Sequence, residues 1–191
     1  ELWNATPAGG TPMDLGLMKG TSPSVAQLAD GQKVYAFQAN TGMLWTVGPD
    51  GVRNRNFGMM SGTSPSVAAI PGGGYRVAAQ ANTGSLWTFG PEGTIDRKLG
   101  MMKGTSPSMA TLANGSMAVA FQADTGSLWT IGQDGVRNWN QGMMAGTSPA
   151  IAAVGNNYQV AMQANTGYLI TLGQFGNKDW RLGMMAGTSP T

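Results

Sequence analysis

The chain has no cysteine and no histidine among its 191 residues. The first absence excludes disulfides and thiolate chemistry. The second removes the commonest general base and the commonest metal ligand, so Ser-His-Asp and Cys-His centres are excluded. Charge is also scarce. Asp, Glu, Lys and Arg make up 10% of residues, against about 25% in ordinary soluble domains. The net charge is +2, and no run of basic residues concentrates it. That argues against a nucleic-acid partner or an anionic membrane surface. No apolar run reaches the roughly 18 residues that span a bilayer as a helix. No segment holds a helical period either, because Gly or Pro interrupts every candidate. The carboxylates of Asp50, Glu92 and Asp134 sit in corresponding turns and not as a pair facing one cleft, and Asp50 and Asp134 read as turn formers. Calcium-loop spacing and a phosphate-cradling loop are both missing. No metal, cofactor or catalytic residue is therefore expected.

What the chain does have is repetition. A unit that opens Gly-Met-Met at Gly58 begins also at Gly16, Gly100 and Gly142, 42 residues apart, and again 41 residues later at Gly183. Residues 16–57, 58–99, 100–141 and 142–182 are the complete copies, while 1–15 and 183–191 are partial ones, all within one repeat domain spanning 1–191. The lost residue falls where Pro71-Gly72-Gly73-Gly74 becomes Gly155-Asn156-Asn157, a loop that tolerates a deletion.

Each copy reads as four short strands. Val67–Ile70 is apolar throughout, as in a strand buried on both faces, and Val77–Gln80 alternates a large residue with an alanine that recurs as Ala36, Ala120 and Ala161. The turn Asn82-Thr83-Gly84 leads into Leu86–Phe89, whose earliest counterpart is Leu2–Ala5. Ile95–Lys98 and its counterparts are polar, as an edge strand is. Four strands per unit of this length, with a recurring Trp, predict an all-β fold: a β-propeller of four-stranded blades with five sectors, one of them incomplete. A β-prism and a β-solenoid are the alternatives.

The residues that repeat with binding chemistry are Gln38, Asn40 and Trp45; Gln80, Asn82 and Trp87; Gln122, Asp124 and Trp129; and Gln163 and Asn165, with Ile170 in place of the fourth Trp. Planar amides and carboxylates engage hydroxyl pairs of a sugar, and an aromatic face meets the C–H side of its ring. Each type also has a structural role. Trp suits a core, Asn or Asp a turn, and a Gln between apolar strand residues must be hydrogen-bonded if buried. A second polar set, Asn54, Asp96, Asn138 and Asp179, lies on the fourth strand, where it could line a groove between blades. Trp139 and Trp180 in that strand are stacking platforms if exposed and rim packing if buried.

The run GTSPS-V/M-A, a VAFQANTG-like strand and turn and the element SLWT-x-G, as in Gly62–Ala68, Val119–Gly126 and Ser85–Gly90, resemble the repeats of tectonin-like and Photorhabdus-lectin-like propeller lectins. The resemblance spans residues 16–182 and implies a toroidal fold with several equivalent glycan sites. This chain departs from those repeats in its shorter copies and in Ile170. The expectation is a non-catalytic, multivalent carbohydrate-binding protein, secreted or at a cell surface. Glycans would be its partners, and a second chain or homo-oligomer would complete the partial blade. The competing expectation is a structural or protein-interaction ring within a larger secreted protein. An enzyme would need carboxylates from two copies to meet.

Overall fold

Each complete repeat folds as one antiparallel sheet. The computed structural model describes residues 1–6 and 9–191, with side chains for all of these except residues 4–6. A hairpin of β1 (Trp3–Thr6) and β2 (Gly9–Pro12) comes first. The first sheet holds β3 (Ser24–Gln27), β4 (Lys33–Gln38), β5 (Met43–Gly48) and β6 (Gly51–Gly58). The second holds β7 (Ser66–Ala69), β8 (Tyr75–Gln80), β9 (Ser85–Gly90) and β10 (Gly93–Gly100). In the third are β11 (Ser108–Thr111), β12 (Met117–Gln122), β13 (Ser127–Gly132) and β14 (Gly135–Gly142). The fourth comprises β15 (Ala150–Val154), β16 (Asn157–Gln163), β17 (Tyr168–Gly173) and β18 (Lys178–Gly183). Strands lie side by side in chain order within every sheet. Among the described residues no helix is long and apolar enough to cross a membrane.

The expectation of five sectors is corrected to four four-stranded sheets, accompanied by the two-stranded hairpin. Residues 1–15 carry the sequence of a third and fourth strand, and β1 and β2 pair with each other as a two-stranded sheet. Residues 184–191 carry only the linking Met-Met-Ala-Gly-Thr-Ser-Pro run and form no strand.

The sheets pack face to face in sequence order. Val34, Ala36 and Leu44 of the first sheet meet Val67, Val77, Ala79 and Phe89 of the second. The same positions recur at the next two junctions, and Leu2 with Leu15 covers Phe37 and Trp45 at the hairpin. The recurrent alanine is fully buried as Ala36, Ala78 and Ala120. A larger side chain there would separate the sheets. The first strands gather at one edge, β3 against β7, β7 against β11 and β11 against β15. They are buried on both faces only in the interior of the stack. Val67 and Ala68 are buried, whereas Val25 of β3 is 57% exposed and Ala152 and Ala153 of β15 face solvent.

Two hydrogen-bond series explain the repeated Thr-Ser-Pro-Ser. The hydroxyls of Ser24, Ser66 and Ser108 accept the backbone N–H of Val67, Met109 and Ile151 in the following sheet, at 2.9–3.2 Å. The N–H groups of Ser22, Ser64, Ser106 and Ser148 donate to the hydroxyls of Ser64, Ser106, Ser148 and Ser189, each at 2.9 Å. Each copy therefore fixes the next by groups that would otherwise be orphaned near the crowded inner edge.

Candidate functional site

The sequence-predicted glutamines are wholly buried. The Nε2 of Gln38 donates to the carbonyls of Met59 and Met60 in the link to the next sheet. Gln80, Gln122 and Gln163 do the same to Met101 and Met102, Met143 and Met144, and Met184 and Met185, all at 3.1–3.3 Å. A polar side chain between alanines is thus the clamp that holds the Met-Met link.

Asn40, Asn82, Asp124 and Asn165 are exposed, each lying over the glycine that opens its own copy, Gly16, Gly58, Gly100 or Gly142. A Cβ on any of those glycines would come within 2.3–2.8 Å of the amide or carboxylate, so glycine opens each unit for want of space. The indole nitrogens of Trp45, Trp87 and Trp129 are buried without a hydrogen-bond partner. Asn40 and Trp45 come together in a small groove between the hairpin and the first sheet, lined also by Asp14 and Phe37. Gln38 does not join them. The second predicted set has a backbone role. Asn54, Asp96, Asn138 and Asp179 accept the N–H of Asn56, Lys98, Asn140 and Arg181 at 2.8–2.9 Å. Those four donors have φ of 51–54° and bulge the fourth strand.

The larger clefts lie elsewhere along the junctions. One, of about 300 Å³, opens between the first and second sheets. Arg55 crosses it. Its Nε donates to the buried Thr46 hydroxyl at 2.7 Å, and its Nη2 donates to Asp50 at 3.1 Å and to the Tyr75 hydroxyl. Leu44, Val77 and Phe89 form the apolar floor. The corresponding cleft between the third and fourth sheets is lined by Asp134, Arg137, Trp139, Asn157, Tyr158 and Gln174. There Trp139 takes the place of Arg55. Its Nε1 donates to Thr130 at 2.9 Å, Tyr158 Oη lies 2.9 Å from the same hydroxyl, and the Arg137 guanidinium stacks 3.7 Å above the indole. Arg97 and Trp180 donate to Thr88 and Thr171 in the same way. Trp139 and Trp180 therefore share a register with two arginines, each held by a threonine nine residues earlier.

The middle junction is built differently. Arg76 reaches across it, donating to Glu92 at 2.9 Å and to the Gly115 carbonyl at 2.8 Å. Burial works to raise the Glu92 carboxyl, but its own backbone N–H, the Arg76 hydrogen bond and charge, and Arg97 outweigh it and hold the group below its ordinary value of 4.5. A depressed acid stabilises the fold above its unfolded value and loses that contribution as pH falls through the folded one. Acid unfolding should therefore show a small loss of stability below about pH 4.5 that Glu92→Gln removes, and urea titrations at pH 7 and pH 3.5 would measure it.

Among the described residues no cluster of His, Cys, Asp and Glu could hold a metal ion. The clefts offer hydrogen-bonding groups over an apolar floor. Sequence reasoning missed Arg55, Arg97, Tyr75 and Tyr158, because each cleft takes one wall from each of two successive copies.

No family model matches the chain, and no curated protein sequence matches it significantly. Solved structures do. The lectin of Aleuria aurantia bound to Fucα1-6GlcNAc superposes with a TM-score of 0.65 at 13% identity, over 91% of this chain and 67% of that one. Another structure of that lectin is described as a six-bladed β-propeller with a novel mode of fucose recognition. AofleA of Arthrobotrys oligospora gives a TM-score of 0.64 at 14% identity, over 93% of this chain and 60% of its own. A catalytically inactive histidine-to-alanine variant of the virginiamycin B lyase of Staphylococcus aureus, with quinupristin, gives 0.56 at 10% identity, over 93% and 61%. The chain spans about three fifths to two thirds of the length of these structures. The shared architecture is that of propeller blades.

Proposed function

We propose that this protein binds carbohydrate without catalysis, in the clefts between successive sheets. One observation carries the reading: at two junctions a carboxylate, a guanidinium and a tyrosine hydroxyl line one cleft beside apolar or aromatic surface, where a buried threonine holds Arg55 in the first and Trp139 and Tyr158 in the second. A sugar offers adjacent hydroxyls to such groups and a C–H face to the ring. The fucose-binding neighbours favour this chemistry, although their low identity carries the fold alone. The lyase neighbour favours an enzyme less, since that protein loses activity with a histidine and this chain has none. Several shallow sites on one rigid stack would gain avidity on a glycan-bearing surface, which fits a secreted or cell-surface setting.

A glycan panel followed by calorimetry with free sugars at millimolar concentration tests the proposal. Asp50→Ala should weaken binding at the first cleft by about tenfold, roughly 1.4 kcal/mol, and leave the cleft at Trp139 intact. An intact fold that binds no glycan would overturn the reading in favour of a structural or protein-interaction role. The Asn40–Trp45 groove is the second candidate, favoured by the unpartnered Trp45 indole N–H. Loss of binding in Trp45→Phe, with Asp50→Ala silent, would move the site there.

A further inference from the structure

The cleft at Arg55 and the cleft at Trp139 carry the same polar groups, spent in one and free in the other. In the first, the groups satisfy one another. Arg55 gives its Nε to Thr46 and its Nη2 to Asp50 and Tyr75, and the Tyr75 hydroxyl donates on to Asp50 at 3.3 Å. Arg53 joins them, its Nε 2.9 Å from the Asp50 carbonyl and 3.8 Å from the carboxylate. In the other cleft Trp139 stands where Arg55 does, so Asp134 has no such guanidinium to hold. Arg137, the counterpart of Arg53, lies 3.7 Å over the indole instead. Among the described residues neither the Arg137 guanidinium nor the Asp134 carboxylate has an ion pair or a hydrogen bond. Both side chains belong to exposed residues, and both line the cleft with Tyr158.

Resting on the carbohydrate reading above, we propose that the cleft at Trp139 selects an acidic sugar, a hexuronate, and that the cleft at Arg55 does not. A guanidinium lying on an aromatic face spends no N–H donor there, so Arg137 keeps the planar fork that grips a carboxylate through two bonds. A hexuronate carries its carboxylate at one end of the ring and hydroxyls along the rest. The carboxylate suits Arg137, and the hydroxyls supply donors to Asp134. An anion without hydroxyls would meet only repulsion at Asp134. The two free charges therefore ask for an acid and an alcohol in one molecule. At the first cleft an acid would have to take Arg55 from Asp50 and Tyr75, exchanging bonds already made for new ones, and it gains little over a neutral sugar. The residue at the Arg55 and Trp139 position decides the difference, because the arginine is what closes the first network.

Calorimetry with the methyl glycosides of glucuronate and galacturonate, each set against the matched neutral hexose, reads the selection. At least one acid should bind about tenfold more tightly than its neutral partner, and the gap should close as salt rises from about 0.01 M to about 1 M. Arg137→Gln changes an exposed side chain and should erase the gap, whereas Asp50→Ala should leave it. Arg137→Lys keeps a cation above the ring without the fork and should retain part of the gap, which keeps the test open if Arg137→Gln disturbs Trp139. Sodium acetate at the same concentration should not compete with the acid. Equal affinity for acids and neutral sugars overturns the proposal. So does a gap that survives Arg137→Gln, or acetate that competes as well as the uronate, since the guanidinium would then take any carboxylate. In each of these cases sugars still bind, and the carbohydrate reading stands without this inference. A folded protein that binds neither acids nor neutral sugars removes both together.

Discussion

Gln80→Ala is expected to destabilise the protein by about 3 kcal/mol, whatever it does to ligand binding. The side chain is wholly buried, and its Nε2 satisfies the carbonyls of Met101 and Met102 together. Truncation leaves a cavity in the strand pair and takes a donor from both carbonyls, of which Met102 keeps Thr105 as a partner. Buried groups without partners cost about 1–3 kcal/mol, and the lost packing adds a comparable amount. Gln80→Glu should be worse at neutral pH and recover on acidification. A carboxylate has no proton to give the two carbonyls, and burial would raise its pKa until it carried one. Asn82→Ala, two residues away, changes an exposed turn side chain and should cost less than about 1 kcal/mol. Urea denaturation of the three variants, followed by tryptophan fluorescence, measures the order. Equal effects at Gln80 and Asn82 would mean that the glutamine clamp does not hold the link.

That contrast shows where the sequence was legible. The strands of each unit were readable to within three residues, because alternation, turn glycines and the 42-residue period all repeat. The period also placed the polar position of the second strand. It did not say what the glutamine bonds, since its partners are backbone carbonyls 21 and 22 residues onward in the link, and main-chain groups have no signature in side-chain spacing. The fourth strand was read too short. Its polar residues looked like an exposed edge, while Asn54 and its counterparts fold back on their own backbone and carry the strand through a bulge to Gly58.

The clefts were legible only in part. Glycine-rich turns with a recurring acid marked the rim, and grooves between blades were anticipated. Their walls change from copy to copy, Arg55, Arg97 and Trp139 on one side and Tyr75, Met117 and Tyr158 on the other. A search for an invariant motif passes over such positions. The available signal was subtler: a long side chain with an N–H donor always stands nine residues after a strand threonine. That pairing fixes the donor's direction but leaves the remainder of the side chain to differ, so two junctions are open clefts and one is crossed by Arg76.

Gly173→Ala should be the most damaging single substitution in the fourth sheet, at about 3–5 kcal/mol. Its φ is 137°, and a Cβ would lie 2.3 Å from the Tyr158 carbonyl oxygen and 3.0 Å from Gln159 Cα. Those atoms belong to β16, which Gly173 opposes directly at Gln159, so neither strand can withdraw without breaking the ladder. Backbone strain of this kind costs about 1–3 kcal/mol before the clash is added. The equivalent Gly132 provides the comparison. It has no positive φ, and its Cβ would meet the ring of Tyr158 at 2.6 Å, a side chain that can rotate away. Gly132→Ala should therefore cost about 1–2 kcal/mol and displace Tyr158. The difference arises in the fourth copy's turn, where Asn177 replaces the Val52 and Val136 of other copies and Gln174 turns its N–H onto the Tyr158 carbonyl. Because Tyr158, Gly173 and Gln174 all line the cleft at Trp139, both substitutions should weaken any ligand there while the Arg55 cleft keeps its affinity. Thermal unfolding with calorimetric titration of each variant would separate the two effects. A Gly173→Ala protein as stable as Gly132→Ala would show that the turn can re-form with a side chain in place.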